Sequence, residues 1–187
     1  MSPRSYRLGR REEAIRRTRT AILAAARTEL ASGDTASFSA GAVARRAGVA
    51  RITVYNQFGS KAGILRELAG EFRPAASPPA GTAEPREELR QRIEAACAAW
   101  SSDTVLFRRL PAEVAAHLEG PAGHRVLAER LAASGQLRPG CSLKEAEDVI
   151  GAVSSFAVFD RLHKDGRRSP AAVAEILLRL AHAILRA

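Results

Sequence analysis

The sequence predicts an all-α protein of about nine helices in two domains. Apolar residues recur at helical spacing along the 187-residue chain, whereas the alternation of apolar and polar residues typical of half-buried strands is absent. Four prolines lie between residues 74 and 85, so no helix is expected to continue through that segment. The predicted divisions are a domain of residues 1–73, a Pro-rich linker of residues 74–85 and a domain of residues 86–187.

Four helices are predicted in the first domain, and the second and third are short and adjacent. Ser39 can cap the second helix, and Gly48 supplies the positive φ that a tight exit from it requires. Ser60 can cap the fourth helix, which Gly63 weakens by roughly 1 kcal/mol relative to Ala. The predicted segments are residues 12–30, 39–47, 50–57 and from 60 onward, the last with Ile64, Leu65, Leu68 and Phe72 on its apolar face.

Five helices are predicted in the second domain. Pro111 should break or kink one of them, because proline removes a backbone donor and clashes with the preceding turn. Ser169 and Pro170 suit the cap and the first position of the last helix. The predicted segments are residues 86–101, 104–118, 122–133, 142–164 and 169–186.

The positive charge is concentrated in the first domain. The chain has a net charge of +9, and residues 1–73 contain 14 Lys and Arg against 6 Asp and Glu. Such a density of cations favours a polyanionic partner, either nucleic acid or an anionic membrane surface, although a basic surface that only aids solubility is an alternative.

The rest of the composition points to a cytoplasmic protein. No apolar run approaches the roughly 20 residues of a membrane span, and the basic start is followed by charged residues instead of the apolar core of a secretory signal. Cys97 and Cys141 are expected to be reduced thiols.

Two short helices joined around Gly48 have the spacing of a helix-turn-helix, in which the second helix enters the DNA major groove. The segment AVARRAGVARITVYNQFGSKAGIL, residues 42–65, resembles the tetracycline-repressor (TetR) family of transcriptional regulators. The resemblance extends over about residues 12–72. The residues that carry it are Ala47, Gly48, Val49, Thr53, Val54, Tyr55, Phe58, Ser60 and Lys61.

The chemistry of the second short helix fits base recognition. Arginine reads guanine with two hydrogen bonds, Asn or Gln reads adenine, and an Ile or Thr methyl group can contact thymine. The predicted base-reading residues are Arg51, Ile52, Thr53, Asn56 and Gln57, and the alternative is a simple solvated helix face.

Residues around this helix are candidates for phosphate contacts. Lys61 lies at the start of a helix, where a cation opposes the helix dipole unless an anion is near. The resemblance implies that the Tyr55 hydroxyl contacts a phosphate, as its family counterpart does. The alternative is that Tyr55 is a core aromatic residue with a hydrated hydroxyl. The predicted phosphate contacts are Tyr55, Lys61, Ser39, Arg16, Arg17, Arg45 and Arg46, with Arg10, Arg11 and Arg19 in the same basic arm.

The resemblance implies that the second domain binds a small molecule and dimerises. The predicted ligand pocket, which would suit an apolar or aromatic effector, consists of Cys97, Trp100, Phe107, His117 and Phe156. The predicted dimer interface consists of Val149, Val153, Val173, Ile176, Leu177, Leu180 and Ile184. Ordinary core packing is the alternative for both sets.

The predicted function is a homodimeric transcriptional repressor that binds a palindromic DNA operator through residues 39–61 and is released by the effector. No cofactor, metal, catalytic residue or membrane partner is expected, because the usual phosphate, zinc and nucleophile motifs are absent. Glu113, His117 and His124 could hold a metal but are better explained as incidental neighbours. The alternatives are a small-molecule-binding protein of the same fold without specific DNA binding, and a small helical enzyme.

Overall fold

The computed structural model describes residues 3–32, 37–70, 84–111, 114 and 121–186. These residues form ten α-helices, and their only β-type pairing is an antiparallel bridge between Leu137 and Leu185. The predicted all-α class is therefore confirmed. The chain divides into an N-terminal unit, Met1–Glu71 with Arg109–Pro111, and a C-terminal unit, Phe72–Arg108 with Ala112–Ala187.

The N-terminal unit contains four helices: α1 (Pro3–Ser32), α2 (Ala40–Ala47), α3 (Arg51–Phe58) and α4 (Lys61–Gly70). Helix α1 begins well before the predicted residue 12, because five of residues 4–11 are Arg or Leu, which have good helix propensity. The contacts of α1 are with α2 and α4, and α3 packs on α2 and α4. Helix α3 is thereby supported on its inner side.

Local signals fix the two short helices where the sequence predicts them. The Ser39 hydroxyl accepts a hydrogen bond from the Ala42 amide at 3.1 Å and caps α2, and Gly48 ends that helix with a φ of 68°. The Ser60 hydroxyl accepts from the Gly63 amide at 3.0 Å at the start of α4. The helix-turn-helix geometry thus follows from short-range hydrogen bonds and one left-handed glycine.

The core of the N-terminal unit draws on all four helices. Full burial of an aliphatic side chain of this size is worth about 1.5–3 kcal/mol, so the small domain has a core of its own. Ile15 of α1 is exposed although it shares the helical spacing of the buried Ile22, and Phe72 lies outside the described residues. The principal buried side chains are Ile22, Leu30, Phe38, Val43, Val54, Ile64, Leu65 and Leu68.

The described part of the C-terminal unit contains six helices. They are α5 (Pro85–Ser102), α6 (Thr104–Arg109), α7 (Pro121–Ala133), α8 (Leu143–Val153), α9 (Phe156–Asp160) and α10 (Pro170–Ala181). Helix α5 packs on α7, α9 and α10, and α8 packs on α7 and α10. Glu84 caps α5, and the Ser169 hydroxyl caps α10 by accepting from the Ala172 amide at 3.2 Å.

The prediction of one continuous helix over residues 142–164 is wrong. It is interrupted at Ser154 and Ser155, where Ser155 has an extended backbone (φ −100°, ψ 133°) and α9 then starts. Serine side chains compete for backbone hydrogen bonds, and the preceding Gly151 has little helix propensity, so the helix has a weak point there. A π-helical turn, Arg161–Asp165, follows α9.

The predicted break at Pro111 is confirmed, whereas the last predicted helix ends early. Helix α6 stops at Arg109, since a residue before proline is disfavoured in the helical conformation and Leu110 precedes Pro111. Residues 112, 113 and 115–118 of the predicted segment 104–118 lie outside the described residues. Helix α10 ends at Ala181 and tightens into a 3₁₀ turn, His182–Ile184, after which Leu185 bridges to Leu137.

Candidate nucleic-acid interface

Helix α3 presents an outward face of mixed polar and apolar side chains. Val54 is buried and anchors the helix, whereas Arg51 and Asn56 are exposed. Ile52 is 64% exposed. Of the predicted base-reading residues, Thr53 and Gln57 are half-buried. The outer face of α3 therefore combines cationic, amide and methyl groups, which are the groups that read base edges.

The first and fifth residues of α3 are in direct contact. The Arg51 Nη2 atom donates a hydrogen bond to the Tyr55 hydroxyl at 3.1 Å. The Arg51 guanidinium carbon also lies 5.3 Å from the centroid of the Tyr55 ring, within the range of a cation–π interaction. Tyr55 is partly exposed, so its ring and hydroxyl are on the same outer face as Arg51.

Lys61 occupies the first position of α4, and that helix has no acidic residue in its first turn. Its Nζ atom lies 5.6 Å from the centroid of the Phe38 ring. A cation at this end of a helix opposes the dipole, and a nearby phosphate would remove that penalty. Ser39 is exposed at the start of α2, with its hydroxyl oxygen already engaged as the helix cap.

The four arginines predicted to contact phosphates divide into two groups. Arg16, Arg17 and Arg45 are exposed, and their side chains make no hydrogen bond or ion pair with another described residue. Arg46, by contrast, pairs with Glu29 of α1 at 2.5 Å and joins α2 to α1.

Arg19, which the sequence places in the basic arm, is engaged inside the N-terminal unit. Its guanidinium pairs with Glu67 of α4 at 2.5 Å and donates to the Gln57 carbonyl oxygen at 3.3 Å. It also lies 4.7 Å from the centroid of the Phe58 ring. Arg19 therefore joins α1 to α4 and to the carboxyl end of α3, where a cation is also favoured by the helix dipole.

Three of the five predicted pocket residues come together in the C-terminal unit. The Phe107 and Phe156 ring centroids are 5.4 Å apart, and those of Trp100 and Phe156 are 6.1 Å apart. Phe159, which the sequence did not single out for this site, lies 5.3 Å from Trp100. His117 lies outside the described residues. The unit thus contains an aromatic cluster formed by α5, α6 and α9.

Cys97 is buried in α5, and burial raises the pKa of its thiol to about 12. A thiol of that pKa is protonated and unreactive at neutral pH.

A separate groove of about 370 Å³ lies between the start of α5 and the end of α10, with Leu89, Leu178, Ala181 and Leu185 among its lining. None of the four predicted pocket residues that the structure describes lines it. The groove and the aromatic cluster are therefore distinct features of the C-terminal unit.

A buried carboxylate joins α5 to α7. Glu88 is only 4% exposed, and it accepts hydrogen bonds from Arg92 at 3.2 Å and from Arg130. The sequence did not identify this ion cluster. An i to i+4 spacing relates Glu88 to Arg92, but the contact with Arg130 depends on the packing of two helices.

The predicted dimer stripe is divided between core and surface. Val153, Val173, Leu177 and Ile184 are buried within their own unit, because α10 packs on α5 and α8. These four side chains are thus covered within their own chain, as in the core packing that the sequence analysis gives as the alternative for them. Val149 and Ile176 are half-buried, and Leu180 is 51% exposed.

The described part of the chain was compared with the requirements of a metal site and of a membrane-spanning helix. No three His, Cys, Asp or Glu residues within it are grouped to hold a metal ion, and no helix within it is both long and apolar enough to cross a bilayer. Glu113 and His117 are outside that part, and His124 is buried in α7.

The geometry defines a helix-turn-helix protein with a helical C-terminal unit. Residues 22–68 match the family model described as bacterial regulatory proteins, tetR family. None of the curated protein sequences compared with the chain matches it.

Solved structures share the fold along almost the whole chain. NalD, the secondary repressor of the MexAB-OprM multidrug efflux pump in Pseudomonas aeruginosa, is 24% identical with a TM-score of 0.69, over 93% of this chain and 98% of that chain. A putative tetR-family transcription regulator from Shewanella sp. PV-4 is 20% identical with a TM-score of 0.61, over 91% and 99%. A TetR-family regulator from Chloroflexus aurantiacus is 21% identical with a TM-score of 0.59, over 92% and 95%.

The chain therefore has the helix-turn-helix and the overall fold of a TetR-family transcription regulator, as its residues 42–65 predict.

Proposed function

We propose that the protein is a homodimeric transcriptional repressor that binds a palindromic DNA operator through residues 39–61. The observation that carries the proposal is the outer face of α3, where Arg51, Ile52 and Asn56 are exposed on a helix anchored by the buried Val54. A recognition helix needs both properties, since it must be held firmly by its domain while its side chains reach the base edges.

Cations around α3 supply the sequence-independent part of binding. Arg16, Arg17 and Arg45 are exposed without a described ion-pair partner, and Lys61 begins α4 without an acidic neighbour in the first turn. Contacts to phosphates position a protein on the duplex, whereas base contacts select the sequence. We assign these cations, the Ser39 hydroxyl and the Tyr55 hydroxyl to the phosphate role.

Dimerisation follows from the geometry of operators. One helix-turn-helix reads a single half-site, and specific affinity normally requires two that are about one DNA turn apart, ~34 Å or a multiple. The exposed Leu180 and the half-buried Ile176 and Val149 are the members of the predicted stripe that remain accessible to a second copy.

Release by an effector is assigned to the aromatic cluster of the C-terminal unit. Trp100, Phe107 and Phe156 would favour an apolar or aromatic ligand that separates or displaces these rings. Such a ligand lowers operator affinity if it and DNA favour different conformations of the dimer. NalD, which has the same fold, is described as a repressor.

The test is selection of binding duplexes from a random pool by the purified protein, followed by anisotropy titrations with the selected sequence. We expect a palindrome to be enriched and Lys61→Ala to weaken binding to every duplex. Arg51→Ala should in addition relax the preference at one base pair of each half-site. Lys164→Ala, which removes an exposed lysine of the C-terminal unit, is the matched control and should bind as the unmodified protein does.

A protein that enriches no sequence would overturn the proposal. The C-terminal unit would then be the functional part, as in a small-molecule-binding protein of this fold.

A further inference from the structure

Arg51 is held by an aromatic neighbour instead of a carboxylate. Its Nη2 atom donates to the Tyr55 hydroxyl at 3.1 Å, and its guanidinium lies over the Tyr55 ring at 5.3 Å. No carboxylate pairs with Arg51 among the described residues, whereas Arg19 and Arg46 each have a Glu oxygen at 2.5 Å. These two kinds of partner have different consequences for an arginine that must bind a base.

A carboxylate would neutralise the guanidinium and compete with the base or phosphate for its donors. A phenol hydroxyl accepts one hydrogen bond and leaves the charge and the remaining donors available. The ring restricts the long side chain without neutralising it. The contact with Tyr55 therefore orders Arg51 and keeps it competent for bidentate hydrogen bonding.

The position of Arg51 in the helix supports this interpretation. Arg51 is the first residue of α3, Ala50 provides no side-chain cap, and the first turn contains no acidic residue. A cation at this end is disfavoured by the helix dipole, so Arg51 does not stabilise α3 in the way that an acidic residue would. The amino-terminal end of a recognition helix is, however, the part that reaches base edges.

We propose that Tyr55 is a positioning residue for base recognition, which holds Arg51 in an ordered conformation and thereby determines specificity at the base pair that Arg51 reads. The inference rests on the proposed function and deepens it. Each side chain that becomes immobilised on binding costs conformational entropy, so an arginine ordered beforehand binds its base more tightly. A tyrosine that only contacted phosphate would affect all duplexes alike.

The experiment compares two duplexes. One is the selected operator, and the other is the same operator in which a different base pair stands at the position where Arg51→Ala relaxes the preference. The ratio of their Kd values is measured by anisotropy for the unmodified protein, Arg51→Ala, Tyr55→Phe and the double variant. We expect about a tenfold ratio in the unmodified protein, lost in Arg51→Ala and clearly reduced in Tyr55→Phe, which removes the hydroxyl acceptor and keeps the ring. The double variant should lose no more discrimination than Arg51→Ala, because the two residues act as one unit.

Two controls separate this role from others. Lys164→Ala, in the C-terminal unit, should leave both Kd values and their ratio unchanged, and Lys61→Ala should raise both Kd values equally. An unchanged ratio in Tyr55→Phe, with both Kd values raised by the same factor, would overturn the positioning role while leaving the proposed function intact. An unmodified protein with no preferred duplex would overturn both.

A second measurement needs no DNA. The order parameter of the Arg51 Nε–H bond, obtained from ¹⁵N relaxation, should be high in the unmodified protein and fall in Tyr55→Phe. An Arg51 side chain equally mobile in both proteins would contradict the proposal.

Discussion

The carbonyl oxygen of Phe58 occupies the space that a side chain at Gly63 would need, because an ideal Cβ atom on Gly63 would lie 1.9 Å from that oxygen. Phe58 is the last residue of α3, and Gly63 is in the first turn of α4. The absence of a side chain at Gly63 therefore allows α4 to approach the end of α3 closely. The low helix propensity of Gly63 is offset by this packing.

The first prediction concerns that approach. Gly63→Ala should lower the free energy of unfolding by about 1–3 kcal/mol, since the backbone of α3 or α4 must shift, although Ala normally favours a helix. Gly41→Ala is the control in α2, where the nearest atoms lie at an ordinary 3.9 Å and the substitution should be neutral or stabilising. Urea denaturation measures both, and a stabilised Gly63→Ala protein would show that the two helices separate without cost.

The second prediction concerns Arg19. Arg19→Ala should destabilise the protein by about 1–2 kcal/mol, because it removes the pair with Glu67, the bond to the Gln57 carbonyl and the contact with the Phe58 ring. Arg17→Ala, on the same helix but without these partners, should change thermal stability little. Equal losses in the two variants would argue that Arg19 is only one more surface cation.

The third prediction separates capping from phosphate contact at Ser39. Ser39→Ala should cost about 1 kcal/mol, whereas Ser39→Asn and Ser39→Asp retain an oxygen that can cap α2. Ser39→Asp should nevertheless bind the operator more weakly than Ser39→Asn, because a carboxylate repels the phosphate. Thermal denaturation and anisotropy titration measure the two effects, and equal affinities would place the phosphate away from Ser39.

The fourth prediction concerns the buried carboxylate of α5. Glu88→Gln should lower stability by about 2 kcal/mol, since Arg92 and Arg130 lose their counter-ion in a partly desolvated position. Glu94→Gln breaks an exposed pair with Arg90 on the same helix and should cost at most about 0.5 kcal/mol. If chemical denaturation gives the same loss for both, burial of Glu88 is unimportant.

The fifth prediction concerns the two thiols. At pH 8 iodoacetamide should modify Cys141 and spare Cys97, whose pKa is raised to about 12 by burial, so that it holds its proton throughout the neutral range. Burial also raises the pKa of Cys141, so its reaction should be slower than that of a free cysteine. Both should react in guanidinium chloride, and rapid modification of native Cys97 would show that α5 opens readily.

Features that depend on neighbours in the sequence were predictable. Ser39, Ser60 and Ser169 each accept a hydrogen bond from an amide three residues ahead, and Gly48 has the positive φ that the tight exit requires. The motif of residues 42–65 also identifies α3 as the helix with an outward face. The assignment of its residues to particular bases or phosphates is still a prediction.

Features that depend on packing were not predictable. The periodicity of Val173, Leu177 and Ile184 identifies a buried stripe, but it does not tell whether α5 and α8 of the same chain or a second copy covers it. The break at Ser154 was missed because the residues around it continue the helical spacing. The roles of Arg19 and Glu88 depend on partners far along the chain, which a local pattern does not reveal.

The pairing of Arg19 with Glu67 and of Arg46 with Glu29 also affects the thermodynamics of association. Each phosphate neutralised by a protein cation releases condensed counterions, so log K falls with log salt concentration by about 0.9 per contact on duplex DNA. Arginines already neutralised by a glutamate release few additional ions when the protein binds. The ionic-strength dependence of operator affinity should therefore be shallower than the number of basic residues in the N-terminal unit would suggest.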